Sequence, residues 1–139
     1  MPSQVMYTNS SAMWLANKVR AALAGSKIKL WKEITQPLGV STVKSHFTEC
    51  DYDGYEEVTI TNFLAVHLDP DTGGASISSG TQQWDYGPAS SPAVGNTVKG
   101  YYLESATGDL VLAGEFESLI SMGLIGQSIL VDVVLNYGS

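Results

Sequence analysis

Two imidazoles, one thiol and a few closely spaced carboxylates are the groups in this chain that could perform chemistry. His46-x-x-x-Cys50, with His67, supplies three donors of the kind zinc accepts. The supporting spacing is absent, since there is no C-x-x-C and no H-x-x-x-H, so Cys50 is expected as a small, half-buried core residue. A Cys–His hydrolase needs a thiolate stabilised by nearby positive charge. Cys50 instead stands between Glu49, Asp51 and Asp53, which raise a thiol's pKa and dull it. Asp69-x-Asp71-x-Gly73 resembles a fragment of a calcium loop, but its twelfth position is Gly80 where a bidentate Glu belongs. Carboxylates at a Gly-Gly turn are expected there as plain turn chemistry. Glu56-Glu57 and Glu115-x-Glu117 are the paired acids a glycosidase would use. On strands, Glu115 and Glu117 share a face and Glu56 and Glu57 do not, and solvated faces account for both pairs. The expectation is no catalytic residue, no metal ligand, no cofactor and no enzyme.

The aromatic residues are more informative. Trp31, Trp84, Tyr52, Tyr55, Tyr86, Tyr101 and Tyr102 are numerous for so small a chain. Tyr101 and Tyr102 are adjacent, so a strand sends one ring to each face and one of them is expected outside the core. Trp84, Tyr86, Tyr101 and Tyr102 are therefore candidates for contact with a ligand or a neighbouring subunit. Aromatics beside Asp and Asn can stack on sugars, but Tyr and Trp also favour subunit interfaces, and the second use is preferred.

Charge divides the chain into two materials. Residues 1–32 hold Lys18, Arg20, Lys27, Lys29 and Lys32 and no acid, for +5. The remainder holds Lys44 and Lys99 against all 14 carboxylates, for −12, and the two sum to −7. Such acidity argues against direct nucleic-acid binding, which needs a broad cationic surface. One cysteine cannot form an internal disulfide. The longest apolar runs are broken by Gly, Ser or Asp well short of a membrane span, and the start lacks a basic segment followed by an apolar one. No membrane partner is expected, and synthesis in a cytoplasm is.

The elements that would hold these residues are one helix and about eight strands. Asn9, Ser10 or Ser11 can cap a helix running to Ala24, with Gly25 just past its end. Leu15, Val19, Ala22 and Leu23 form its apolar stripe, while Met13 and Trp14 can pack on the body or another subunit. Period-two alternation marks strands over 27–34, 58–61 and 97–104, the last turning through 106–109 into 110–116 as a hairpin. Gly54 in Asp53-Gly54 suits a positive-φ bulge covered by flanking tyrosines. In the last strand Ile129, Val131, Val133, Leu135 and Tyr137 face one way. The class this favours is mainly β, an antiparallel β-sandwich with the jelly roll as one form of it, preceded by one N-terminal helix. Residues 1–26 form a helical arm and 27–139 the sandwich domain.

Three stretches resemble small virion-associated structural proteins of tailed bacteriophages. Phe47-Thr48-Glu49-Cys50-Asp51-Tyr52-Asp53-Gly54-Tyr55, followed by Val58-Thr59-Ile60-Thr61, is similar to that family's F-x-E-A-x-F-x-G-Y segment. Val98-Lys99-Gly100-Tyr101-Tyr102-Leu103 and then Gly108-Asp109-Leu110 through Glu115-Phe116 resemble its G-Y-Y hairpin, and Gly126-Gln127-Ser128-Ile129 its closing turn. The chain departs at Cys50, where a small residue such as Ala is usual, and at Gly114, an added residue. The resemblance spans roughly 27–137 and implies a non-enzymatic virion component, a capsid decoration or cement subunit that stabilises the shell it binds. It implies a homo-oligomer, a major capsid or other virion protein as partner, and residence in the virion.

Met13, Trp14, Lys18, Arg20, Lys27 and Lys29 are then the expected docking residues, a cationic arm reaching an acidic neighbour. The alternatives are a carbohydrate-binding module of a fibre or surface protein, using Trp84, Tyr101 or Tyr102 and the 69–74 loop, and a repeating filament or tail subunit.

Overall fold

A computed structural model of the chain describes residues 9–69, 71 and 74–137. The protein is mainly β with one N-terminal helix and antiparallel sheets, a β-sandwich-like fold. Helix α1 covers Asn9–Ala22, so Ser10 and Ser11 lie inside it, and the Asn9 side chain lies outside the described residues. Its buried stripe is Ala12 and Ala16 with Val19 partly covered, continued by Leu23 just past its end; Val19 and Leu23 belong to the expected stripe, whereas Ala22 is exposed and Leu15 only half-buried. Alanine at two contact positions lets the helix backbone come close to the strands beneath, which larger side chains would prevent. Gly25, at φ +81°, ends the helix, and its N–H bonds the Ile60 carbonyl at 2.8 Å. The chain then enters β1.

The main sheet is built around β1 (Ser26–Ile34). One edge of β1 pairs with β2 (Phe47–Glu49) and, at its other end, β3 (Val58–Ile60). Its second edge pairs with β7 (Asn96–Glu104), which pairs in turn with β8 (Leu110–Met122). Strands β4 (His67–Leu68), β5 (Ala75–Ser78) and β10 (Val134–Tyr137) form a second sheet in the order β10-β5-β4. Strands β6 (Gln82–Asp85) and β9 (Ser128–Val131) form a third.

The alternation read along 129–137 is present, with Ile129, Val131 and Val133 buried, but it spans two strands. Asp132 and Val133 carry the chain from one sheet to another. The Ser79 hydroxyl accepts the Val133 N–H and the Ser78 hydroxyl donates to Asp132 Oδ1. Buried residues of the helix and of all three sheets belong to one hydrophobic cluster. Residues 9–26 are thus built into the same core as the strands, and the helix lies on its own β body.

A second, smaller layer covers the opposite face of the main sheet. Trp31, Tyr102 and Gly100 project there from β1 and β7, and Phe47 lies over them. Phe47 stacks on Tyr102 at 4.7 Å and tilts against Trp31 at 5.5 Å. Gly100 is required by this packing: a β-carbon there would strike the Trp31 ring and the Gly114 carbonyl. The Trp31 indole N–H donates to the Tyr101 carbonyl at 3.2 Å.

Candidate functional site

The residues that organise the protein's most distinctive surface lie in the loop between β2 and β3. Gly54 turns it at φ +84°, with its α-carbon so close to the Gly87 carbonyl that no side chain fits. This places Asp53 against the segment 86–94. One carboxylate oxygen accepts the backbone N–H groups of Val94 (2.8 Å) and Ser90 (3.0 Å) and the Tyr86 hydroxyl (3.0 Å). The other accepts the Ser90 hydroxyl at 2.7 Å. The Asp53 backbone adds bonds to Val94 and Gly87. The Val94 N–H first, and Ser90 after it, hold the Asp53 carboxyl far below the usual carboxylate range.

A neighbouring turn is held the same way. Gln127 Oε1 accepts the N–H groups of Gly123 (2.7 Å) and Leu124 (2.8 Å). The Tyr86 N–H bonds the Gln127 carbonyl at 3.0 Å, and Ile125 lies over Gly87. Two loops are thereby fixed side by side at one end of the molecule. Neither 87–95 nor 123–126 contains a charged residue. Between them they expose Val94, Leu124 (69%) and Ile125 (68%). This is a pre-organised apolar tip, its loops free of charged residues and held by the Asp53 carboxylate, on a protein of charge −7.

The residues singled out from sequence are distributed differently. Trp84 is 3% exposed with its indole N–H bonded to the Glu56 carbonyl; Tyr86 and Tyr102 are buried too. None of these three rings has a free face, which corrects their assignment as ligand-contact aromatics. Tyr101 is half-buried against Phe116 and Gly114. The rule of one ring per face is obeyed, but both faces are covered because Phe47 roofs the outer one.

No protein family, curated protein or solved structure matches the chain. The site is therefore read from its own geometry.

Among the docking residues, Met13 packs against the core and Trp14 is exposed, with the Lys18 ammonium 5.9 Å from its ring centre. Arg20, Lys27 and Lys29 are committed inside the chain, which corrects the picture of a free cationic arm. The Arg20 guanidinium donates to the carbonyls of Phe63 and Leu64. Lys29 lies 3.0 Å from Glu104, 3.4 Å from Glu57 and 3.9 Å from Glu49, while Lys27 pairs with Glu57 and Lys44 with Glu104. Burial alone would lower the Lys29 pKa, but the Glu104 hydrogen bond and the surrounding carboxylates prevail and raise it to about 12. The opposite charges of the two parts of the sequence meet within one molecule.

The groups considered for chemistry stay apart. Cys50 is buried, and burial first, with Asp51 and Glu49 adding to it, raises its thiol to about 12. His46 Nδ1 accepts the Val43 N–H, and His67 is exposed on β4. No three His, Cys, Asp or Glu side chains among the described residues group to hold a metal ion. Of the calcium-like fragment, Gly73 lies outside the described residues, and Asp69 Oδ1 accepts the Asp71 N–H as a turn residue does.

Sequence reasoning missed Asp53, Gln127, Leu124 and Ile125. A signal existed for the last two. An apolar pair enclosed by Gly123 and Gly126 is too short to be a core element and reads as a loop tip.

Proposed function

We propose that the chain is a non-enzymatic structural subunit of a tailed-bacteriophage particle, a head decoration subunit that docks on the assembled shell through its apolar tip. The observation carrying this reading is the exposure of Leu124, Ile125 and Val94 on backbone already fixed by Asp53 and Gln127. Ordering a loop at the moment of binding costs affinity, and here that ordering is done in the free protein. Apolar side chains on such loops are the anchors that fill pockets on a protein partner. The resemblance of 47–61, 98–116 and 126–129 to virion proteins supplies the kind of partner. A subunit that binds only assembled shells stabilises them by mass action, in proportion to its free concentration over its dissociation constant.

The test is co-sedimentation of the purified protein with undecorated shells of the phage that encodes it. The chain should saturate a fixed number of sites. Replacing Leu124 and Ile125 by aspartate should abolish sedimentation while leaving the circular dichroism spectrum unchanged. Undiminished binding of that variant would remove the tip from the mechanism, and a failure of the parent chain to sediment would remove the shell as partner.

A further inference from the structure

Away from the tip, β8 closes the main sheet as an edge strand, and its only strand partner among the described residues is β7. It is 13 residues long, and an edge of that length offers a row of unpaired N–H and C=O groups. Part of it is blunted. Between the pairs Gly100–Glu115 and Val98–Ile120, the four residues 116–119 face Lys99 alone, an irregularity that interrupts pairing until Ile120. A second, one-residue break falls at Val111, between the pairs Leu103–Leu112 and Glu104–Leu110, and residues 112–115 pair with β7 without interruption. Beside it runs a cleft of about 300 Å³ lined by Leu38, Val40 and Thr42 on one wall and Leu110, Val111 and Ala113 on the other. Val40 on its wall is exposed, as is Val43.

We infer that the 110–115 edge of β8 receives an extended segment of another polypeptide, apolar in alternate positions and carrying basic residues at its ends. The unpaired backbone selects an extended strand, and the cleft beside it, lined by Leu38, Val40, Leu110 and Val111 but polar over most of its exposed surface, admits its side chains. Charge selects the ends. Residues 109–122 contain Asp109, Glu115 and Glu117 and no basic residue. A second copy of the chain fits poorly. It brings no basic residue to these acids in any register of 109–122 on itself, and two-fold axes at Leu112, Ala113 and Glu115 set acid opposite acid, although axes at Val111 and Gly114 do not. Like charges directly across a strand pair are destabilising.

The experiment uses two short synthetic strands of alternating valine and threonine, one ending in lysines and one in glutamates, added to the whole protein. The lysine-ended strand should slow amide hydrogen exchange over 110–115 and bind about tenfold more tightly than its counterpart. The double variant E115K/E117K, altered at exposed positions, should reverse that preference. Equal affinity for both strands overturns the charge selection. Failure of either strand at millimolar concentration to slow exchange overturns the site. Concentration-dependent slowing without any added strand identifies a second copy as the occupant, against the inference. None of these readings involves the tip, so they are independent of shell docking.

Discussion

The ion-pair layer around Lys29 and the tip around Asp53 both depend on carboxylates, but they set them to different tasks. In the layer, Glu49, Glu57 and Glu104 face Lys27, Lys29 and Lys44, and charge answers charge above the aromatic stack of Trp31, Phe47 and Tyr102. At the tip, Asp53 faces only neutral donors, and its charge is used to hold backbone in place. The first arrangement closes a surface. The second prepares one, because the apolar side chains it positions remain in water. The lesson is that a carboxylate cluster says little about function until its partners are known.

The strongest way to break this contrast is to remove the layer's foundation. Trp31→Ala deletes a fully buried indole from beneath Phe47 and next to Gly100. The expected loss is about 3–5 kcal/mol, a large part of the stability of an ordinary domain. Urea unfolding would show it as a lower midpoint with an unchanged slope. A loss below about 1 kcal/mol would mean that Phe47 collapses into the gap and the layer is not a packed unit.

Glu104→Gln is a smaller step in the same region. It removes the carboxylate closest to Lys29 while keeping the shape, and both side chains are largely covered. A covered cation left with weaker partners costs about 1–3 kcal/mol. Acid and alkali separate the two regions further. The Lys29 pKa is raised, so its contribution is complete below about 10.4, the unfolded value, and disappears as the pH climbs through about 12. Glu57 and Glu104 are lowered, Glu57 mainly by Lys27 and Glu104 by Lys29 against its own burial, so their contributions vanish as the pH falls below the usual carboxylate range. The layer should therefore loosen at both extremes. The tip, which rests on one depressed carboxyl, should loosen in acid, and in alkali only once the Tyr86 hydroxyl, whose pKa is raised by burial and by Asp53, gives up its proton.

Much of the layer was legible in the sequence and little of the tip was. Alternation in 27–34 and 97–104, the hairpin at 106–109 and the Gly54 bulge are local patterns, and the strands and turn are where those patterns put them. The segregation of charge was visible too, but its meaning was not, because nothing in spacing reveals that β1 lies beside β3 and β7, where the acids are. Burial of Tyr102 escaped for the same reason: Phe47 reaches it across β1. The tip depends on contacts between residues about 35 to 40 positions apart, such as Asp53 with Ser90 and Val94. The pairing of one carboxylate with particular backbone N–H groups leaves no periodic trace.

Asp53→Asn tests the tip directly. The amide keeps one acceptor oxygen but loses the charge that four donors share. Amide exchange at Ser90 and Val94 should quicken by about tenfold or more, while exchange in β1 and β7 stays as it was. Lowering the pH of the parent protein from about 4 downwards should reproduce the change, since protonation follows the depressed native value. If exchange in β1 quickened in parallel, tip and layer would be one cooperative unit and the contrast between them would fail.

The smallest effect is predicted at the rim of the layer. Lys27 and Glu57 lie 3.1 Å apart, but each is more than a third exposed, so solvent screens the pair and Lys27→Ala should cost only about 0.2–1 kcal/mol. That cost should shrink in about 1 M salt, where the screening length falls to about 3 Å. The deficit of Glu104→Gln should persist there, because Lys29 and Glu104 are covered. The salt dependence of the two deficits thus locates the boundary of the layer: charges inside it hold through contact and hydrogen bonding, and charges outside it through a field that ions can erase. Equal sensitivity of both variants to salt would mean the whole cluster is open to solvent, and the aromatic stack alone would then account for the closure of that face.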